Sequence, residues 1–321
     1  MGNILEIKEL NLGFKTEQGF RQAIFDVSFA IEQGSMHALV GESGCGKSIT
    51  ATSILNLLPK NADITSGKIL FKGEDLLIKK KKDMQSLRGA RIALIPQDPM
   101  TSLNPLYTVG NQLLEVIKLH QNLRGKDAKD KALEVLDMVQ IPSAKERLNQ
   151  YPHEFSGGMK QRAIIAMALA CKAELIIADE PTTALDVTIQ AQIMRLLADI
   201  KKEFKTSILL ITHDLALVSQ NADEVSVMYS GRIVENAPSY EFFGNTTHPY
   251  SIGLIKSLPN GKNKELFTIK GQPPSIMEDI TGCRFHARCN SFIPNVCDKG
   301  VPELKKTSYK HYCACFLNGN E

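Results

Sequence analysis

The sequence predicts an α/β fold, and three observations predict it. The run Met36-His37-Ala38-Leu39-Val40 opens directly into Gly41-Glu42-Ser43-Gly44-Cys45-Gly46-Lys47-Ser48: a strand, a glycine-rich loop and a helix start. Glu174-Leu175-Ile176-Ile177-Ala178-Asp179-Glu180 is a continuous apolar run closing in two carboxylates, as a fully buried parallel strand does when it delivers acids to the carboxyl edge of a sheet. Through the second half of the chain, strands alternate with helix-spaced apolar segments.

Taken in order, residues 4–14 alternate apolar and polar like a half-buried strand, and Ala23 to Ile31 do so again before the Gln33-Gly34 turn. Lys47 to Leu58 reads as a helix stopped by Pro59, and Thr65 to Gly73 as a turn and short strand. Arg91 to Pro96 is a buried strand entering Gln97-Asp98-Pro99, where two prolines argue against helix on either side. Val109 to His120 and Ala128 to Val139 carry helical spacing, and Met159 to Ala170 resumes it with Ser156 placed as the cap. Val187 to Phe204 is a long amphipathic helix, Ser207 to Thr212 a strand ending at His213, and residues 224–234 a hairpin across Ser230-Gly231. From about residue 245 the chain turns rich in Pro, Gly, Lys and Cys without apolar periodicity, which predicts an appended module too thin in core to stand without a staple.

Bulk properties limit the function. Lys+Arg 38 against Asp+Glu 35 leaves +3, which lacks the electrostatic footprint of a nucleic-acid binder. The run Lys79 to Lys82 reads as a solvated face. The longest apolar run, Ala163 to Cys171, is far short of the roughly 20 residues that a membrane span needs, so the chain is expected to be soluble. With no export signal visible, the seven cysteines are expected as thiols or metal ligands rather than disulfides.

The loop at Gly41 fits G-x-x-x-x-G-K-[ST]. Its glycines let backbone N–H groups approach phosphate oxygens, Lys47 can reach the β- and γ-phosphates, and Ser48 can ligate Mg²⁺. The start of the following helix adds its dipole and free N–H groups. Gly41 to Ser48, Gln97, Phe155-Ser156-Gly157-Gly158-Met159, Leu175 to Glu180, Ala184-Leu185-Asp186 and His213 resemble, in order and spacing, the nucleotide-binding subunit of an ABC transporter. Phe155 stands where the family's signature usually has Leu.

That resemblance covers residues 1–235. It implies a P-loop NTPase (RecA-like) core with an antiparallel β subdomain and a helical insertion at about 98–158, followed by a small Cys-rich C-terminal extension over 236–321. It also implies ATP and Mg²⁺ as cofactors. Gly41, Ser43, Gly44, Cys45, Gly46, Lys47, Ser48 and Ile49 would surround the nucleotide, with Ser48, Gln97 and Asp179 at the metal. Glu180 would orient the attacking water, Gln97 would sense metal and water, and His213 would contact the γ-phosphate. Phe14 is either an adenine platform or a core aromatic. Ser156, Gly157 and Gly158 would cap the nucleotide of a partner subunit, so the working unit is a head-to-tail dimer, and Asp186 joins the nucleotide-binding set.

A more particular resemblance, to the D-type ATPase of dipeptide and oligopeptide importers, rests on Gln97-Asp98-Pro99-Met100-Thr101-Ser102-Leu103-Asn104-Pro105. It rests also on His248-Pro249-Tyr250, Gly271-Gln272-Pro273-Pro274-Ser275 and Gly282-Cys283-Arg284-Phe285-His286-Ala287-Arg288-Cys289. It implies a paralogous second ATPase subunit, two integral membrane permeases, an extracellular or periplasmic peptide-binding protein, and a peripheral place on the cytoplasmic face of the membrane. Importers of nickel and other small solutes share much of this cassette. A soluble ABC ATPase acting on nucleic acid or ribosomes is the rival from another class, opposed by the single cassette and the near-neutral charge. The C-terminal cysteines suit either zinc or iron–sulfur. Resemblance selects a [4Fe–4S] cluster on Cys283, Cys289, Cys297 and Cys315, with Zn²⁺ as the alternative and Cys313 as a possible substitute for Cys315.

Overall fold

The computed structural model describes residues 2–183, 185–258 and 267–318, and divides into two compact units. The first unit joins the two ends of the chain, residues 1–78 and 211–321; the second spans 79–210.

In the first unit, β1 (Asn3–Thr16) and β2 (Gly19–Glu32) form a long antiparallel pair. β3 (Met36–Val40) runs into the glycine-rich loop, and α1 (Lys47–Ile54) leaves it. β4 (Ala62–Phe71) and β5 (Glu74–Asp75) complete an antiparallel sheet ordered β2-β1-β4-β5. The alternation expected along β1 holds in pieces, because register shifts around Glu9, whose φ is 47°, and near Leu12 move side chains from one face to the other. α1 ends before the expected Leu58: Asn56 adopts φ 50°, a left-handed stop, three residues ahead of Pro59.

The second unit opens with α2 (Lys81–Leu87), so the lysine run leads into a short helix, with Lys80, Lys81 and Lys82 exposed as expected. β6 (Ile92–Ile95) follows. Then α3 (Pro99–Ser102) forms a single turn that the prolines were expected to forbid. Pro99 stands at its first position, where no N–H is needed, and Asp98 caps it by accepting from Met100 N at 2.7 Å. α4 (Val109–Gln121), α5 (Gly125–Met138), α6 (Ala144–Arg147) and α7 (Gly157–Ala170) build the expected helical layer. The Arg162 guanidinium ties three helices together, donating to Val139 O at 2.6 Å and Gln192 Oε1 at 2.8 Å. β7 (Leu175–Asp179), buried along its whole length, lies parallel to β6 with Leu175 opposite Ile92. α8 (Val187–Phe204) leads to β8 (Ser207–Thr212), which carries the chain back to the first unit.

There α9 (Leu215–Asn221) precedes β9 (Glu224–Tyr229) and β10 (Arg232–Pro238), the expected hairpin. β9 is parallel to β3, with Val227 beside Val40. The final segment holds α10 (Ser239–Asn245), α11 (Pro249–Lys256), β11 (Lys305–Ser308) and β12 (His311–Cys313). β12 pairs antiparallel with β10, which extends the sheet to the order β11-β12-β10-β9-β3. Phe242, Tyr250 and Phe285 share one buried cluster with Ala38, Val40 and Val227. The segment from residue 245 is therefore no appended module with a thin core of its own. Tyr250 and Phe285 anchor separately into the core around β3, whereas Phe292, Val301 and Leu317 stay exposed, so the segment's apolar residues show no period. Among the described residues no helix is long and apolar enough to cross a membrane.

A buried polar network fixes this segment. Glu235, fully buried, accepts from Thr247 N at 2.8 Å, from Thr247 Oγ1 at 3.1 Å and from His248 N at 3.3 Å, and its Oε1 lies 2.8 Å from His311 Nε2. Burial alone would raise its pKa, but the bonds from His311 and Thr247, with the polar groups around it, outweigh it and leave the carboxyl below its ordinary value. His248 caps α11 through Nδ1, which accepts from Tyr250 N at 3.0 Å, and burial pushes its pKa down to about 4 against the pull of Glu235. The folded state thus binds fewer protons than the unfolded chain between about pH 6.5 and 4, and the stability held above that window is lost as pH falls through it. Denaturant titration at pH 5 should show an unfolding free energy about 2 kcal/mol below that at pH 7.5. His248→Asn, which keeps a capping side chain without the titration, should flatten most of that difference.

Candidate nucleotide site

The glycine-rich loop owes its shape to its neighbours in the first unit. Gly41, at φ 152°, packs so closely on the Met228 carbonyl that a Cβ would run into it. Gly46, at φ 112°, would place a Cβ 2.6 Å from Ile24 Cδ1. Only glycine meets both the backbone and the space requirement at these positions. Cys45 O accepts from Gly231 N at 2.8 Å, which pins the loop to the β9–β10 turn. The Cys45 thiol is buried, and burial raises its pKa despite Lys47 nearby. Gly46 precedes α1 without a side-chain cap, so the first amides of that helix are offered by the backbone alone.

Lys47 is buried, and its ammonium donates to Gly41 O at 2.8 Å and Glu42 O at 3.0 Å, with Cys45 Sγ at 3.9 Å. Two of its three N–H groups therefore brace the loop, and the third meets only a long sulfur contact that a phosphate oxygen would outcompete. Ser43, Gly44 and Ser48 are exposed, Ile49 is half-buried, and Phe14 is half-buried on β1. Exposed His213 directly follows β8.

In the second unit, β7 delivers Asp179 and then Glu180, both nearly buried. Glu180 has φ 46°, a left-handed backbone that costs a non-glycine residue about 1 kcal/mol or more. Its Oε2 accepts from Gln97 Nε2 at 2.9 Å and from Thr183 Oγ1 at 3.0 Å. Gln97 and Glu180, predicted as partners in one reaction, are thus brought together. Thr183 was not predicted, although a hydroxyl one turn beyond a strand-end carboxylate is a signal that could have been used. Ser156 caps α7 by accepting from Met159 N at 3.3 Å, Gly157 and Gly158 open that helix, and buried Phe155 fills the place of the usual Leu. Asp186 caps α8, accepting from Ile189 N at 3.0 Å. Ala184 lies outside the described residues.

The family described as ABC transporter matches residues 24–183, and that described as oligopeptide/dipeptide transporter, C-terminal region, matches 234–297. A probable peptide ABC transporter ATP-binding protein of Sinorhizobium fredii is 48% identical over 98% of this chain and 94% of its own. The chain belongs to the ABC transporter family. A second relative of this cassette, the dipeptide transport ATP-binding protein DppD of Bacillus subtilis, is 47% identical over 99% of this chain and 95% of its own. A dimeric ATP-binding cassette in a post-hydrolysis state, bound to ADP and Pi, superposes with a TM-score of 0.66 at 25% identity, over 73% of this chain and 98% of that one.

The cysteine module of this ABC ATPase differs from expectation. Among the described residues no group of three or more His, Cys, Asp and Glu side chains is gathered as a metal would require, so the predicted cluster on Cys283, Cys289, Cys297 and Cys315 is not supported as a formed site. The donor chemistry still fits, and these thiols lie near enough to influence one another. Burial, then the neighbouring Cys297, Cys315 and Cys289, push the Cys283 thiol up to about 11, and Cys289 and Cys315 are raised in the same sense. Cys283 N donates to Cys297 O at 2.8 Å. Cys313 lies on β12 near Thr247, Glu235 and Cys315, and burial raises its thiol to about 12.

Proposed function

We propose that this chain is the ATP-hydrolysing subunit of an ABC importer and powers uptake of dipeptides and oligopeptides through partner membrane permeases. One observation carries the proposal: similarity to peptide-transport ATP-binding proteins runs through the cassette and its C-terminal region, over 98% of the chain. Residues 1–235 act as the ATPase part, with the helical insertion at about 98–158, and residues 236–321 as the peptide-transporter extension; the family matches at 24–183 and 234–297 support that division.

Phosphoryl transfer asks for positioning and charge stabilisation more than for covalent chemistry. The loop amides and Lys47 hold the β- and γ-phosphates, and Phe14 offers a stacking face to the adenine. Mg²⁺, when bound, neutralises charge on the phosphate oxygens, with Ser48, Asp179 and Gln97 as its holders. Glu180 orients and polarises the attacking water, and the two donors on its Oε2 hold the carboxylate in place for that role. His213 meets the γ-phosphate. Ser156, Gly157 and Gly158 serve the nucleotide held by a second ATPase subunit, and Asp186 belongs to the nucleotide-binding set; the dimeric form of the similar ADP-bound cassette supports a dimer, in which we take the second subunit to be a paralogue. The complex includes two integral permeases and an extracellular or periplasmic peptide-binding protein, with this chain peripheral on the cytoplasmic face of the membrane.

Permease contact belongs to the insertion. Met100, Leu106, Tyr107 and Leu119 are exposed there, at 57%, 80%, 55% and 70%, beside a groove of ≈ 530 Å³ lined by Tyr107, Gln112 and Leu119. A second reading concerns the cysteines. Resemblance to the ATPases of peptide importers favours a [4Fe–4S] cluster over zinc on Cys283, Cys289, Cys297 and Cys315, with Cys313 as a possible substitute for Cys315.

ATPase and binding assays test the nucleotide roles. Lys47→Ala should weaken ATP binding, whereas Glu180→Gln should bind ATP, lose roughly 100-fold or more in turnover and lock the dimer closed on gel filtration; full turnover by Glu180→Gln would remove the glutamate from its role. Met100→Glu should cut peptide uptake in the assembled importer more than ATP hydrolysis by the isolated dimer, and equal loss of both would overturn the coupling role. Leu103 is buried and unsuited to that test. Anaerobically purified protein should be brown and hold iron and sulfide in matching amounts; a colourless, zinc-loaded preparation would decide for zinc.

A further inference from the structure

Glu42 is an anomaly inside a loop that receives a polyphosphate. It puts a carboxylate between Gly41 and the phosphate-binding amides, where like charge should oppose the ligand. All three of its polar groups are held. Its carbonyl accepts from Lys47 Nζ at 3.0 Å. Its N–H donates to Tyr250 Oη at 2.9 Å. Its carboxylate takes a two-pronged bond from Arg288, with Nη1 to Oε2 at 2.6 Å and Nη2 to Oε1 at 3.0 Å. Two of the three partners thus come from the C-terminal segment, and Arg288 is 246 residues away in sequence.

Arg288 is itself immobilised. Its side chain is 6% exposed, Nε donates to Lys270 O at 3.0 Å, Nη1 lies 3.4 Å from Tyr229 Oη, and its guanidinium carbon sits 5.7 Å from the centre of the Tyr229 ring. Tyr229, Tyr250 and Phe285 pack edge-on or tilted against one another behind it, with centroids 4.7 to 5.4 Å apart. A side chain so placed keeps one geometry, and a planar guanidinium matches a carboxylate in a way lysine cannot.

We propose that Arg288 is a positioning residue for nucleotide binding: it neutralises Glu42 and, with Tyr250, clamps the phosphate loop in the shape that receives ATP. The C-terminal extension thereby completes the nucleotide site of its own cassette. The proposal rests on the phosphate loop binding ATP, and the role passes through Glu42 rather than through contact with substrate. Removing the guanidinium leaves an uncompensated carboxylate next to the phosphates, and removing the carboxylate as well relieves that penalty.

Equilibrium binding of Mg·ATP to the full chain tests this, together with thermal melting without nucleotide. Arg288→Met should weaken binding about tenfold, and the loss should shrink at high salt. Adding Glu42→Gln to Arg288→Met should restore affinity to within about threefold of the unaltered chain and remove the salt dependence of the loss; a recovery of affinity that only follows recovery of the melting temperature would mark a merely structural role and overturn the proposal. Arg288→Lys, which keeps charge and most of the packing, should fall between the two and keeps the test open should Arg288→Met fold poorly. Unchanged affinity in Arg288→Met and Arg288→Lys, or a double variant no better than Arg288→Met, would overturn the proposal. Failure of the unaltered chain to bind ATP would instead remove the nucleotide reading on which it rests.

Discussion

Backbone amides can cradle a polyphosphate only if no side chain stands between them and the ligand, and the first unit is arranged around that constraint. Gly41 fits against the Met228 carbonyl and Gly46 against Ile24, so the loop is seated on β9 and β2 as well as braced by Lys47. β3 must then be rigid, and it is: every residue from Met36 to Val40 is buried, with β9 in parallel register beside it. The C-terminal segment follows from the same need, since Phe242, Tyr250 and Phe285 fill the core behind β3 and β9. A loop made of glycines has no stiffness of its own, so stiffness comes from what it rests on.

The second unit handles a different problem, that of placing carboxylates at the end of a buried strand. Asp179 and Glu180 emerge from an apolar run, and Glu180 turns through a left-handed backbone that directs it away from the strand. Strain of this kind persists only where surroundings over-determine it. Gln97 and Thr183, both donating to Glu180 Oε2, belong to that surrounding.

Much of this was legible in sequence because it is local. The glycine spacing, the apolar run into Asp179-Glu180 and the Ser156 cap each lie within a few residues of what they shape. Helix ends were less legible: Asn56 stops α1 by a left-handed turn that competes with the obvious Pro59, and Pro99 begins a helix turn instead of preventing one. Least legible were long-range partners. Nothing near Arg288 says that it meets Glu42, and the absence of period after residue 245 suggested a separate module when it meant isolated anchors into a shared core. The four-thiol expectation had the right neighbourhood in Cys283, Cys289, Cys297 and Cys315 but not a gathered ligand set.

The first unit is made from the two ends of the chain, and this has a bearing on how the protein is born. Ribosomes add about 5–20 residues per second, so the 246 residues between Glu42 and Arg288 separate their emergence by about 12–50 s. β1, β2 and β4 can pair during that interval, since all three are early. β3 cannot until late in it, because its parallel partner β9 (Glu224–Tyr229) is made near the end of the interval. The apolar face of β3 and its glycine loop therefore wait until β9 has been made. A chain stopped before β9 would leave that face uncovered and prone to self-association.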